Sequence, residues 1–259
     1  MLRIVPDMRI RRLEPEMMDQ PNGDIEKLYR TLGQFELINR LLSGSRRLLR
    51  EALFPHFAST PDRKFEILDV GAGACDIPMW IARVARSRGW RVHITALDAD
   101  PRIVSWARRA VSEYPEIDVV EGNALELRRH GKFDFILANH FLHHLVDADI
   151  LDVVTQIDAQ ARFGFLLNDL RRRAWAYLGF TLYAILFAHR SLTRVDGLLS
   201  IRKGFLREEL EALTAQFPGS GMEVFTAFPA RVGLRRGPVR RGVRLARAGV
   251  RIDSRPHQR

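Results

Sequence analysis

The chain has 259 residues, is 46% hydrophobic, and carries 41 Lys and Arg against 31 Asp and Glu, a formal net charge of +10. That length and apolar content suit one sizeable α/β core better than two independent domains. The lone cysteine, Cys75, excludes a disulfide framework and a cysteine zinc knuckle, and no run approaches the ~20 continuous apolar residues of a bilayer-spanning helix. No secretory leader pattern opens the chain, so a cytoplasmic location is expected.

Residues 1–23 are mixed and charged, with PEMMDQPNG reading as a loop. Apolar periodicity through Leu28, Leu32, Phe35, Leu37 and Leu41 predicts a helix from Ile25 to Phe54 that covers one edge of a site. Strands are expected at 65–70, 92–97, 117–120, 133–138 and 163–168, separated by helix-like segments. That alternation describes a parallel sheet with helices on both faces. The segment from Ala174 to Ala188 is apolar all round and bracketed by arginines. It suits a buried helix, a lid over a hydrophobic substrate, or an interfacial segment. LTRVDGLLSIRKGFLREELEAL follows as a polar loop and an amphipathic helix, and MEVFTAFP and ARVGLRR close the strand pattern. The arginine-rich end has three readings: contact with nucleic acid, contact with an anionic membrane, or solvation alone. The lack of interleaved aromatics disfavours nucleic acid.

Ile67 to Ala82, ILDVGAGACDIPMWIA, is the most informative stretch. A strand runs into Gly71-Ala-Gly73, a helix follows, and the next strand ends on Asp98, the spacing of a nucleoside-binding βαβ unit. Small residues admit a ligand close to the backbone, and a carboxylate at the second strand's end accepts hydrogen bonds from ribose hydroxyls. Asp76 at the helix start would repel a pyrophosphate and suits a cationic ligand. S-adenosylmethionine carries a sulfonium and an ammonium and no phosphate, so the pattern favours this methyl donor over a dinucleotide.

Asp69, Gly71, Gly73, Asp98 and the later NAL and FDFILAN segments resemble the successive signatures of class I S-adenosylmethionine-dependent methyltransferases. The Gly73-Ala-Cys-Asp76 step is similar to the glycine-rich turn of the UbiE-like ubiquinone/menaquinone branch, with Cys75 where a glycine is usual. The resemblance implies a Rossmann-like α/β fold, a mainly parallel seven-stranded sheet with helices on both faces and a terminal antiparallel hairpin. Residues 1–60 would be a helical cap, 61–235 the methyltransferase domain with a substrate-covering insertion at about 170–215, and 236–259 an arginine-rich tail.

Strand-end residues carry the chemistry in such folds. The resemblance implies that Gly71 and Gly73 border the methionine portion of the cofactor and Asp98 the ribose hydroxyls, that Asn123 stands where the family places an acidic residue on the adenine, and that Asp69, Asp76, Ala99 and Ala124 belong to the same cofactor-binding set. Asn139 ends the fourth strand, and Asn139-His140-Phe141-Leu142-His143-His144 flanks the transferable methyl. Histidine titrates near neutrality, so His140 is the first choice of general base, with His144 and Asp169 as further catalytic candidates. His143 matters less in this reading. Histidines at i, i+3 and i+4 also offer a metal alternative, and three neutral imidazoles would favour zinc over magnesium; the preferred reading has no metal.

Arg194 and Asp196 lie in the insertion, either touching substrate or pairing to hold a lid. The NDLRR…TRVDGLLSIRKGF run and PEMMDQP resemble a UbiE-like bacterial subgroup associated with phenolic or polyketide-type metabolites. The implied activity is methyl transfer to a small lipophilic phenolic, quinone-like or polyketide-type acceptor, with possible contact to the inner face of the membrane. The alternatives are an RNA or protein methyltransferase, and a non-catalytic cofactor-binding subunit.

Overall fold

The computed structural model describes residues 5–217 and 219–237; most of the arginine-rich tail, 238–259, lies outside the described residues. The predicted helix from Ile25 to Phe54 is three helices: α1 (Ile25–Leu41), α2 (Ser45–Ala52) and α3 (Phe54–Ser59). Asp24 caps α1 by accepting from the backbone of Glu26 and Lys27. The break falls at Gly44, whose φ of +64° ends helical geometry, and a Cβ there would stand 3.1 Å from the Phe228 carbonyl. Apolar spacing is blind to such a turn, because the stripe resumes immediately beyond it.

Then follow β1 (Lys64–Val70), α4 (Asp76–Arg88), β2 (Arg91–Asp98), α5 (Pro101–Ala110), β3 (Ile117–Glu121), β4 (Phe133–Asn139), α6 (Asp147–Gln160) and β5 (Ala161–Leu170). The chain continues through α7 (Ala174–Phe187), α8 (Thr193–Lys203), α9 (Arg207–Thr214), β6 (Glu223–Ala227) and β7 (Arg231–Arg236). The seven strands order as β3-β2-β1-β4-β5-β7-β6. β1 to β5 are mutually parallel, while β7 pairs antiparallel with both β5 and β6, which is the expected terminal hairpin. All strands predicted from the sequence are present within about two residues at each end.

Two apolar layers explain why the inner strands read as continuous hydrophobic runs. Phe54, Phe57, Phe65, Trp80 and Phe135 fill one face of the sheet, and Leu68, Ile136, Val153, Ile157 and Leu167 the other. The C-terminal edge of β1, β2, β4 and β5 is left between α1, α5, α8 and the loop of residues 14–21.

Of the three readings of the apolar segment, the exposure of α7 excludes the fully buried helix. Among its residues Ala184 is buried, whereas Trp175 is 53% and Leu182 61% exposed, on one stripe with Leu178 and Ile185. The inner side packs on α8, where Phe180 covers Gly197 so closely that a Cβ there would sit 2.3 Å from the ring. No described helix is long and apolar enough to cross a membrane. Because Leu182 faces outward, Leu182→Ser is expected to change unfolding free energy by under about 0.5 kcal/mol in thermal melts. A core helix would instead lose several-fold more.

Candidate active site

β1 ends directly before the glycine turn, and the turn wraps back over the end of β2. Ala72 N donates to Leu97 O (3.0 Å), Gly73 N to Asp98 Oδ2 (2.9 Å) and Asp100 N to Asp98 Oδ1 (3.1 Å). Gly71 and Gly73 have φ of +67° and +55°, and a Cβ on Gly71 would press into the Phe141 ring at 2.6 Å. Cys75 stands at the N-cap position of α4 in the left-handed conformation (φ +59°).

A cavity of about 800 Å³ opens over this edge. Asp69, Gly71, Gly73, Asp76, Asp98, Ala99, Asn123, Ala124 and Asn139 all line it, so every residue expected to hold the cofactor faces one space. Three of them form an electronegative wall. Burial, then Asp76 and Asp98, push the Asp69 carboxyl well above the usual range. Burial raises Asp76 to about 6 against the opposing hydrogen bond from Asn39, and burial likewise raises Asp98 against its two backbone donors. Carboxyls crowded in this way gain from a cation, and the glycine backbone leaves room for one. The donor set thus fits S-adenosylmethionine, an adenosine carrying an ammonium and a sulfonium. Asn123 also caps the 3₁₀ turn of Ala124–His130, its Oδ1 accepting from Leu125 N at 3.0 Å.

An amide ladder crosses the strand ends from this wall. Asn39 Nδ2 donates to both Asp76 oxygens (3.1 Å each), Asn139 Nδ2 to Asn39 Oδ1 (3.0 Å), and Asn168 Nδ2 to Asn139 Oδ1 (2.7 Å). Arg231 Nε then donates to Asn168 Oδ1 at 3.3 Å. Asn139 and Asn168 are register partners on β4 and β5, so the parallel pairing itself aligns the two amides. Sequence reasoning missed Asn39 and Arg231. A polar residue on the apolar side of α1 and an arginine opening the last strand were the available signals.

The histidines do not share a helical face. His140 sits at φ +59°, its N–H held by Asn168 O (2.9 Å), and only Leu142–His144 form a short 3₁₀ turn. His140 lines the cavity, with its Nε2 sealed from solvent and unpartnered. Burial, then the Arg231 charge, hold this imidazole well below its ordinary value, so it is neutral at pH 7. His143 instead carries the charge. Its Nδ1 lies 2.7 Å from Asp169 Oδ1, its N–H donates to Asp169 Oδ2 (3.1 Å), and its Nε2 is 3.5 Å from Glu16 Oε1. Burial opposes protonation here, but Asp169 and Glu16 outweigh it and raise His143 to about 9.

Asp169 is fully buried, does not line the cavity, and holds His143. His144 lines the cavity from a partly exposed position and is 3.1 Å from Asp19. One ligand-type atom each from Glu16, His143 and His144 falls within 4.8 Å. Lys203 Nζ (3.2 Å) and Ser200 Oγ (2.9 Å) also bind Glu16 Oε1. Two carboxylates, Asp169 and Glu16, are therefore matched by two cations, His143 and Lys203.

The ion pair that was one of two readings of Arg194 and Asp196 gives way to a different contact. Asp196 is buried at the cavity and accepts from the backbone of Met17 (2.8 Å) and Met18 (3.0 Å), while Arg194 is exposed and does not line the cavity. Residues two apart on α8 point to different sides, so their pairing was geometrically disfavoured. Asp196 instead pins the 14–21 loop across the site.

Residues 67–162, from β1 to the start of β5, match the family described as methyltransferase domain. A search of curated proteins finds no sequence match. Among solved structures, human N-acetylserotonin methyltransferase in complex with SAM superposes with a TM-score of 0.56 at 16% identity, over 83% of this chain and 57% of that one. An O-methyltransferase family protein from Burkholderia thailandensis gives 0.55 at 16% identity, over 84% and 63%. A putative S-adenosyl-L-methionine-dependent methyltransferase from Methanococcus maripaludis gives 0.53 at 11%, over 87% and 99%. This chain thus spans 57% and 63% of the length of the first two, and at such identities the likeness is one of fold. Within that fold, the segment that matches the methyltransferase domain family, residues 67–162, is the one that contains the glycine turn.

Proposed function

We propose that the protein is a UbiE-like small-molecule methyltransferase that methylates a lipophilic phenolic, quinone-like or polyketide-type acceptor in the cytoplasm. The observation that carries this reading is the joining of two unlike surfaces in one cavity: the Asp69, Asp76 and Asp98 wall, and an apolar side built from Phe35, Ile38, Leu42, Phe180 and Ile201. The first suits a cationic donor and the second an apolar acceptor. When bound, S-adenosylmethionine supplies an electrophilic methyl group, and the chain's contribution is to position an acceptor against it.

In this reading residues 1–60 act as the cap, 61–235 as the catalytic domain, and the 170–215 insertion as the acceptor cover. Asp98 holds ribose hydroxyls, Asp69 and Asp76 face the ammonium, and Asn139 fixes the strand end. His140 accepts a hydrogen bond from the acceptor hydroxyl. Because this histidine is held neutral, the pH profile should follow the acceptor's own ionisation rather than a histidine step near 6.5. The outer stripe of α7, set between Arg173 and Arg190, is where a membrane storing such an acceptor would be met.

Calorimetry with S-adenosylhomocysteine tests the donor half. Asp98→Ala should weaken binding by about 1.5–3 kcal/mol, the scale of hydrogen bonds to a charged group. Unchanged affinity would remove Asp98 from the site. Labelled donor offered with pooled phenols, RNA and peptides tests the acceptor half, and label in RNA or peptide alone would reject the small-molecule reading.

A further inference from the structure

Arg231 opens β7 and is 1% exposed, yet it borders the cavity. Its Nε is bound by Asn168, while its Nη2 is buried with no hydrogen-bond partner. A guanidinium has five N–H donors and no acceptor, and an unmet donor on a buried cation is costly. Asp169, the anion that acts on it most, is already occupied: Oδ1 takes His143 Nδ1 and Leu170 N (2.6 Å), and Oδ2 takes His143 N. Asp169 is therefore spent on His143. Across the same cavity wall, His140 Nε2 is likewise buried without a hydrogen-bond partner, and so is His143 Nε2, which however keeps an ion-pair contact with Glu16 at 3.5 Å; that leaves Arg231 Nη2 and His140 Nε2 with neither.

These two orphans are complementary to one group. A phenolic or enolic oxygen accepts from Arg231 Nη2, and its proton, while present, donates to His140 Nε2. We propose that Arg231 and His140 form an oxyanion site that binds the acceptor's ionisable phenol or enol oxygen as its anion, an assignment that rests on the methyltransferase reading. The O–H bond breaks with its electron pair staying on oxygen, and the proton passes to solvent, since the neighbouring guanidinium disfavours a second positive charge on His140. The retained pair forms the bond to the methyl carbon while the carbon–sulfur pair stays on sulfur. The neutral ether that results no longer matches Arg231, which favours its release.

Orientation comes from the amide ladder, which ties Arg231 through Asn168, Asn139 and Asn39 to Asp76 at the donor wall. The other charged groups facing this corner are Asp169 on β5, His143 on the 3₁₀ turn and Glu16 on the amino-terminal loop, and they compensate one another with Lys203. Net positive character is left to Arg231. A phenol with a pKa near 10 is about 0.1% ionised at pH 7, and each unit of lowering raises that fraction about tenfold.

The test uses full-length protein saturated with S-adenosylhomocysteine and 4-nitrophenol as probe, whose anion is read by visible absorbance. The bound probe should ionise at least about one pH unit below its value in free solution. Arg231→Met should abolish that shift while leaving the affinity for S-adenosylhomocysteine and the binding of 4-nitroanisole, which has no ionisable oxygen, unchanged. Arg231→Lys should keep the shift but bind the probe more weakly, because a point charge replaces the planar fork. A probe that ionises as in free solution, fails to bind the saturated protein, or keeps its shift in Arg231→Met overturns the proposal. Should Arg231→Met not fold, wild-type shift with weakened binding in Arg231→Lys supports it, and equal binding in the two overturns it. Loss of S-adenosylhomocysteine binding by the wild type would instead reject the donor reading, independently of the probe.

Discussion

His143→Leu is expected to destabilise the fold by about 3–5 kcal/mol, because it leaves Asp169 and Glu16 buried with one cation between them. The leucine fills the space, so the loss is electrostatic rather than a cavity effect. The pH dependence follows from the same contacts. His143 is raised from 6.5 to about 9 on folding, so its stabilisation is complete below about 6.5 and is lost as pH rises through about 9. Glu16 is lowered from 4.5 to about 2, and Asp169 is also held below the carboxylate range. In both, burial works against the charge and the contacts with His143 prevail, so their contribution is present above about 4.5 and is lost as pH falls through about 2. Wild-type stability in urea should therefore fall between pH 7 and 10, and the variant should lose that slope. A loss under about 1 kcal/mol, or an unchanged alkaline slope, would show that the network does not hold the histidine turn in place.

What could be read from the sequence was whatever local pattern encodes. The inner strands are buried on both faces, so ILDV and FDFILA announce themselves as apolar runs, and the glycine turn with Asp98 locates the donor wall within one βαβ unit. α7 was ambiguous for a physical reason: a helix apolar on every face has no stripe to show which side finds a partner. Its exposure is decided by the placement of α8, which hydropathy does not encode. The metal alternative put His140, His143 and His144 on one helical face; the left-handed His140 and the 3₁₀ turn after it break that helix, while the His143 and His144 rings stay 4.3 Å apart. Glu16, Lys203, Asn39 and Arg231 reach the site from four distant segments. Local pattern marks Asn39 and Arg231 only as polar residues out of place and Glu16 and Lys203 not at all, since each is defined by what the fold brings opposite it.

Affinity for S-adenosylhomocysteine is expected to rise with pH up to about 6 and then level off. Burial pushes the Asp76 carboxyl from 3.8 to about 6, so in donor-free protein it is largely protonated at pH 5 and ionised at pH 7.5. An ammonium placed against it favours the ionised form, and binding at low pH must first expel that proton. One proton released corresponds to about 1.36 kcal/mol, or tenfold in affinity, for each pH unit below about 6. Asp69 and Asp98 are raised as well, which steepens the slope wherever they too must ionise. The sign for stability is opposite in the absence of donor: ionising Asp76 inside the protein is unfavourable, so its contribution falls as pH rises from 3.8 through about 6. Asp76→Asn should flatten the wild-type dependence and bring affinity at pH 7.5 down toward that of wild type at pH 5. Calorimetry in buffers of different ionisation heat measures the released proton directly, separating it from any loss of folded protein. Affinity that stays level from pH 5 to 8 in the wild type would mean that the donor's cation lies elsewhere, and that the three carboxyls serve the fold alone.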